Sequence, residues 1–161
     1  MPAATRTSRE IAEQLLRAAV SGTPGDMADC YALEVVIEMP FAVDALYPSR
    51  IETTREELRA RYQAGTASRR YKGLTNVTIH ETADPEVIIA EYELHGEMTT
   101  TGEPFSARFA MVITVRDGHI GALSRLQRSD RGRPAPGQAS RTCLRAELAS
   151  VEHAPGERPG P

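Results

Sequence analysis

The sequence has no run of about 18 apolar residues, the length expected for a membrane-spanning helix, and its N-terminus, MPAATRTSRE, lacks the apolar core of a secretory signal. Its two cysteines, Cys30 and Cys143, lie far apart without CxxC spacing, which argues against a disulfide framework or a zinc site. A net charge of −3 gives no basic field for nucleic acid. We therefore expect a cytoplasmic protein whose partner is a small molecule or another protein, with no nucleic acid and no membrane partner.

The chain has 161 residues, of which 40% are hydrophobic, and this suits one compact domain with a core of its own. Two helix-start signals are present. The capping box at 7–10 predicts a helix over 8–21, and a second box at 54–57 predicts a helix over 54–64. Asp26 is placed to cap a short helix between them.

The remaining pattern is that of strands. LEVVIEM predicts a first strand, and alternating apolar residues predict four more, so that the five strands cover 33–39, 74–81, 86–97, 104–116 and 119–128. Asp117-Gly118 separates the last two, as a two-residue type I′ hairpin requires. Helices followed by an antiparallel meander indicate an α+β fold with helices packed on one face of a curved sheet.

The hairpin turn allows the strands to be aligned, because residues directly opposite each other point to the same side of a sheet. Arg116 then faces His119, and regular pairing continues to Ala110 with Arg125 and to Arg108 with Gln127. Val112 likewise faces Leu123, and Glu93 falls opposite Arg108. One face thereby collects the polar residues Glu91, Glu93, His95, Arg108, Arg125 and Gln127, and it also carries the apolar residues Val87, Ile89, Val112 and Leu123. The other face is apolar and holds Ile88, Tyr92, Leu94, Phe109, Met111, Ile113, Val115, Ile120 and Leu126.

Two arrangements of these faces are open. If the helices cover the polar face, its titratable groups line a cavity, and the apolar face becomes the interface of a homodimer because it is too apolar for water. If the helices cover the apolar face instead, the polar residues form a solvated surface with a Glu93–Arg108 pair. The residues alone do not choose between these arrangements.

The order of elements and several short motifs resemble the SnoaL-like and ketosteroid-isomerase-like branch of the nuclear transport factor 2-like superfamily. The matching stretches are SGTPGDMADCYALEVVIEMPFA at 21–42, ETTREELRARY at 52–62, IHETADPEVIIAEYELHGE at 79–97 and TGEPFSARFAMVITVRDGHI at 101–120. The pieces EMPFA, ETADP, TGEPF and RDGHI are most similar to the phenazine-biosynthesis A/B proteins.

The resemblance implies a cone-shaped α+β barrel over 8–130, dimerisation through the sheet, and a deep pocket between sheet and helices. Residues 1–7 are then a flexible N-terminus, and 131–161 a largely disordered tail rich in Pro, Gly and Arg, with at most a short helix over 143–150. The family includes isomerases, cyclases, dehydratases and proteins without catalysis, so the fold does not fix the function.

The resemblance also bears on the site. Family enzymes of the cyclase type commonly carry an acidic pocket residue five places after the apolar residue of the DG-x-I turn, and here that position is Arg125. The position of the ketosteroid isomerase aspartate is Met39. Phe41 opens an apolar loop over 41–50 that suits a lip above a cavity. If Arg125 points into the pocket, its cross-strand neighbours are expected to do so too.

We therefore expect Glu91, Arg125 and His95 as catalytic candidates. Glu91 would act as a base or would fix Arg125 as its ion partner, and His95 would shuttle protons. Guanidinium groups are suited to a carboxylate or enolate, so the substrate-binding candidates are Arg108, Glu93, Gln127, Met39 and Phe41. No metal site and no cofactor are expected.

Two functions follow from these residues. The first is a small cofactor-free enzyme of secondary metabolism that cyclises, isomerises or dehydrates a carbonyl- or carboxylate-bearing molecule. The second is a non-catalytic small-molecule-binding or protein-interaction member of the same fold.

Overall fold

The computed structural model describes residues 6–21, 23–41 and 48–128. No helix among these residues is long and apolar enough to cross a membrane. The predicted tail, Cys143 and most of the apolar loop after Phe41 lie outside the described residues. The elements are α1 (Ser8–Ser21), α2 (Pro24–Ala28), β1 (Tyr31–Glu38), β2 (Arg50–Thr54), α3 (Arg55–Ser68), β3 (Arg69–Glu81), β4 (Val87–Met98), β5 (Pro104–Arg116) and β6 (His119–Arg128).

Both predicted capping boxes are confirmed. The backbone N–H of Glu10 donates to the Thr7 hydroxyl at 3.2 Å, and the Glu10 carboxylate accepts from the Thr7 N–H at 2.8 Å. Thr54 and Glu57 make the same reciprocal pair at the start of α3. These bonds satisfy N–H groups that have no partner within the helix, and they fix where α1 and α3 begin.

Two helix boundaries differ from the prediction. The predicted Asp26 cap is wrong, because α2 begins at Pro24 and Thr23 is its N-cap; proline suits the first helical position, where its missing N–H costs nothing. The α3 helix continues past Gly65 to Ser68. Glycine inside a helix costs only about 1 kcal/mol, so neighbouring residues can carry the helix through it.

The six strands form one sheet in the order β2-β1-β6-β5-β4-β3, in which only the pair β1 and β6 is parallel. The sheet is curved and unclosed, and with the helices it makes the expected cone-shaped α+β fold. The sequence did not reveal β2, which is five residues long and pairs only with β1 at the sheet edge. In a segment that short and exposed, apolar and polar residues do not alternate clearly enough to indicate a strand.

The hairpin turn is as predicted, but the pairing beyond it is not. Asp117 and Gly118 have φ angles of 50° and 70°, as a type I′ turn needs, and Arg116 pairs with His119. Gly121 is then an extra residue on β6, because Ile120 pairs with Val115 whereas Ala122 pairs with Thr114. This β-bulge shifts the register by one and turns every later side chain of β6 to the opposite face.

The shift corrects the predicted pairs. Arg125 lies opposite Met111 and not Ala110, and Gln127 lies opposite Phe109 and not Arg108. Leu123, predicted beside Val112, instead pairs with Ile113; it is buried in the core. The pairing of Glu93 with Arg108 across β4 and β5 is confirmed.

The helices cover the apolar face of the sheet, which we call the inner face; the opposite side is the outer face. Ile11, Leu15 and Leu16 of α1 share one buried cluster with sheet residues such as Ile88 and Ile113. The arrangement with helices over the polar face is therefore wrong, and so is the dimer interface predicted on the apolar face. That face is buried within the single chain.

Candidate functional site

Four of the predicted site residues lie on the outer face. Glu93 is held by the guanidinium of Arg108, whose Nε is 3.3 Å from the carboxylate, and by the side-chain amide of Asn76 at 3.3 Å. The Glu93 side chain is only 16% exposed, whereas that of Arg108 is 63% exposed. This is the Glu93–Arg108 pair expected if the polar residues form a solvated surface, although the Glu93 carboxylate itself is largely buried.

The other two outer-face candidates also have polar partners. Glu91 pairs with His80 at 2.7 Å, and the ring Nε2 of His95 lies 2.7 Å from the Thr75 hydroxyl. The predicted contact between Glu91 and Arg125 is wrong, because the bulge places these side chains on opposite faces of the sheet. A role of Glu91 as a base for the inner face is therefore not supported by position.

Three of these outer-face candidates, Glu91, Glu93 and Arg108, border an open depression of about 370 Å³. It is lined by Asn76, Thr78, Glu91, Tyr92, Glu93, Arg108 and Phe109. A larger one, of about 520 Å³, lies near the start of α1 beside the β5–β6 hairpin and contains none of the predicted site residues. Among the described residues, no group of three or more His, Cys, Asp or Glu side chains is placed to hold a metal ion.

The inner face receives Arg125 instead. Its guanidinium carbon lies 4.7 Å from the centre of the Phe109 ring, and its Nη2 donates to the side-chain oxygen of Gln127. Phe109 in turn stacks on Tyr92, with ring centres 5.0 Å apart and planes 19° apart. A cation over an aromatic face is attracted by the ring's quadrupole, so β4, β5 and β6 together fix the position of this charge.

The charge of Arg125 acts on two tyrosines, Tyr62 and Tyr92, and Tyr62 is hydrogen-bonded to a third, Tyr31. Each of the three comes from a different element. Tyr62 of α3 donates to the hydroxyl of Tyr31 of β1 at 2.9 Å, and the Tyr92 hydroxyl lies 3.6 Å from the sulfur of Met111. The Arg55 side chain donates to the Tyr31 carbonyl at 2.7 Å and ties α3 to β1. We call Tyr31, Tyr62, Tyr92 and Arg125 the phenol–guanidinium cluster.

Burial sets the protonation of these phenols. It raises the pKa of Tyr92 to about 12, raises that of Tyr31 well above its usual value, and raises that of Tyr62. For Tyr62 the hydrogen bond to Tyr31 and the charge of Arg125 act in the opposite direction, and Arg125 also lowers the pKa of Tyr92. The phenols are therefore neutral near pH 7, and the cluster is rich in hydrogen-bond donors.

Comparison with known proteins identifies this architecture. The SnoaL-like domain model matches residues 12–122, more than half of the chain. The chain belongs to the SnoaL-like domain family. It is therefore a member of the nuclear transport factor 2-like superfamily that its motifs resemble. An uncharacterized PhzA/B-like protein of Pseudomonas aeruginosa is 29% identical to this SnoaL-like chain over 113 residues, which cover 70% of the chain and 78% of the relative.

Solved structures share the fold of this SnoaL-like domain. A Bacillus subtilis protein provisionally named an isomerase has a TM-score of 0.67 and 21% identity, with 75% of this chain and 86% of that chain covered. A Pseudomonas putida protein provisionally named a polyketide cyclase has a TM-score of 0.63 and 14% identity, covering 75% and 91%. A phenazine biosynthesis-related protein of Pseudomonas aeruginosa has a TM-score of 0.52 and 14% identity, covering 80% and 83%.

Of the other predicted positions, Met39 and Phe41 follow the end of β1, and Gln127 lies on β6. Met39 is half-buried, and its backbone N–H donates to the Ser49 carbonyl at 2.8 Å, which closes the base of the loop. Phe41 is 82% exposed. Gln127 lies on the inner face beside Phe109, where it contacts Arg125. A substrate contact for Met39 and Phe41 stays a prediction.

Sequence analysis missed the tyrosines as functional groups. Tyr31 sits at an inward position of β1, Tyr62 in the apolar stripe of α3, and Tyr92 on the apolar face of β4. Each is a plain core position when taken alone. The number of tyrosines could have indicated an inner site. Three phenol groups point into one core, and each buried hydroxyl needs a hydrogen-bond partner or a ligand.

Proposed function

We propose that this SnoaL-like domain binds a carbonyl-bearing small molecule against the phenol–guanidinium cluster and acts on it as a cofactor-free cyclase or isomerase of secondary metabolism. The observation that carries the proposal is the convergence of neutral phenols and one permanent cation on the inner face. The provisional names of the Bacillus subtilis and Pseudomonas putida proteins, an isomerase and a polyketide cyclase, support the same class of reaction.

The chemistry follows from where charge develops. In cyclisation or isomerisation next to a carbonyl, the carbon–hydrogen bond beside the carbonyl breaks, the proton passes to a water molecule of the solvent, and the electron pair forms an enolate whose negative charge collects on the carbonyl oxygen. Donors already fixed around that oxygen stabilise the charge without reorganising, and one such donor is typically worth about 10²- to 10³-fold in rate. Tyr62 and Tyr92 are the phenols on which the charge of Arg125 acts, so they are the proposed donors. Each O–H would turn to the ligand oxygen from its present acceptor, the Tyr31 hydroxyl for Tyr62 and the Met111 sulfur for Tyr92.

A second candidate function is binding without catalysis. Arg125 occupies the position at which the sequence resemblance would place an acid, and a guanidinium does not accept a proton. Glu91, the candidate base, lies on the outer face. The fold is also that of a computationally designed 17-OHP binder, with a TM-score of 0.63 and 21% identity, so a binding role suits this architecture too.

The test uses 2-tetralone, a bicyclic ketone, in deuterated water. We expect the wild-type protein to accelerate exchange of the hydrogens next to the carbonyl, observed by NMR, and Tyr62→Phe to reduce the rate by about 10²-fold or more. Arg17→Gln, on the exposed side of α1, serves as a control that keeps the wild-type rate. Binding of 2-tetralone without exchange favours the second candidate, and absence of both contradicts the two functions together.

We also propose a homodimer, formed through the outer face of the sheet. Val87 and Ile89 of β4, Val112 of β5 and Leu126 of β6 all point outward and are only half-buried in the single chain. Such a patch is better covered by a partner than by water. Ile89→Glu is expected to halve the mass measured by light scattering, because a charge there would have to be desolvated. A wild-type protein of monomer mass contradicts the dimer.

A further inference from the structure

We infer that the ligand of the inner face carries a carboxylate and that Arg125 is the residue that selects it. This inference rests on the proposed function and narrows it from carbonyl compounds in general to anions. It concerns one specificity residue, so the proposed inner-face site can stand even if the inference fails.

The first step is the placement of Arg125. With regular pairing it would share the outer face with Arg108, whose side chain is 63% exposed. The bulge at Gly121 moves it to the inner face, opposite Met111, where it is only partly exposed. A charge taken out of water loses hydration and needs partners to compensate for the loss. A structure that directs an arginine toward the core therefore gives that charge a role that leucine or methionine would not fill.

The second step is how the guanidinium is held. Phe109 lies beneath it at 4.7 Å, and the side-chain oxygen of Gln127 accepts one of its N–H groups. These two contacts restrict the position of a group that has five N–H donors in one plane. A planar fork matches the two oxygens of a carboxylate, and a restricted fork loses less entropy on binding one.

The third step is the chemistry of the neighbours. The charge of Arg125 acts on the phenols of Tyr62 and Tyr92, and burial keeps both phenols protonated at neutral pH. A carboxylate bound to the guanidinium is therefore not repelled by these phenols, because both are uncharged. A neutral ketone or amide accepts from the phenols but gains little from the cation. The geometry thus favours an anion over a neutral molecule of the same shape.

The experiment compares 2-naphthoate with 2-naphthamide, a neutral molecule of nearly the same shape, by isothermal titration calorimetry. The wild-type protein is expected to bind 2-naphthoate about ten- to hundredfold more tightly, the range of a hydrogen bond to a charged group. Arg125→Gln is expected to remove that preference, and Arg125→Lys to keep part of it because the charge remains without the fork. Arg108→Gln is the matched control and is expected to keep the full preference.

Each contrary result has a definite meaning. Equal wild-type affinities for the two probes overturn the selection of anions but leave an inner binding site in place. A preference lost in Arg108→Gln and kept in Arg125→Gln overturns the role of Arg125 and moves the anion to the outer face. If the wild type binds neither probe, the carboxylate inference is wrong, and the 2-tetralone exchange decides the proposed function separately. Circular dichroism of each variant verifies its folding, and the comparison of probes on the wild type needs no variant.

Discussion

Phe109 and Arg108 are neighbours on β5 that point to opposite faces, so truncating each to alanine tests the assignment of the faces. Phe109 is 8% exposed, stacks on Tyr92 and carries Arg125 above its ring. Removal of a buried phenylalanine typically costs about 3–5 kcal/mol, through lost transfer free energy and the cavity that remains. The Arg108 side chain is 63% exposed, and an exposed ion pair contributes about 0–1 kcal/mol.

The assay is urea unfolding followed by far-ultraviolet circular dichroism. With a denaturant slope of about 2 kcal/mol per molar, Phe109→Ala is expected to lower the midpoint by about 2 M and Arg108→Ala by less than about 0.5 M. Comparable small shifts for both variants, or a larger shift for Arg108→Ala, would show that β5 does not bury the face on which Phe109 lies. The register and the inner site would then both be wrong.

Three further outcomes are expected. Gly96→Ala should destabilise the fold by about 1–3 kcal/mol, because a Cβ there would lie 2.6 Å from the Phe105 ring; Gly73→Ala, where a Cβ has open space, is the control in the same urea assay. Thr54→Ala should cost about 0.5–2 kcal/mol in thermal melts, since it removes a side-chain cap of α3. Tyr92 should ionise near pH 12, as followed by absorbance at 295 nm. Because its pKa is higher in the folded than in the unfolded protein, the free energy of unfolding should fall as the pH rises from about 10 toward 12. A melting temperature that does not change over that range contradicts the burial of Tyr92.

Local signals were enough to predict most of the elements. The capping boxes before α1 and α3 and the Asp117-Gly118 turn each depend on side chains or backbone angles within four residues, and all three appear as expected. The long alternating strands are likewise present with shifts of a few residues. These features do not depend on what lies across the sheet.

The face of Arg125 could not be predicted by the same reasoning, because it depends on one unpaired residue. Side chains alternate with a period of two, so a single bulge at Gly121 reverses every position that follows on β6. A glycine inside a strand is a known sign of a bulge, and Gly121 follows the hairpin closely enough to have raised that alternative. Without the bulge, Arg125 was grouped with Glu91, and the polar face was assigned a positive charge that lies on the inner face.

The residues alone could not decide which face the helices bury. Regular pairing assigned Leu123 to the polar face and Leu126 to the apolar face, whereas the structure exchanges them. Burial of one face by the helices depends on the sum of its side chains, and both faces carry apolar residues in either register, so this sum did not decide between them. The tyrosines of the inner site were then counted only as core.

The central claim is that the inner phenol–guanidinium cluster, and not the outer polar face, receives the ligand. NMR of protein with isotope-labelled tyrosine and histidine rings, titrated with 2-naphthoate, tests it directly. Tyr62 and Tyr92 report on the inner face, and His80 and His95 lie on the outer face beside Glu91 and Glu93.

We expect the ring signals of Tyr62 and Tyr92, assigned through their phenylalanine variants, to move with a single binding curve while those of His80 and His95 stay in place. Movement of the two histidine signals with unchanged tyrosines would contradict the account and return the site to the outer face.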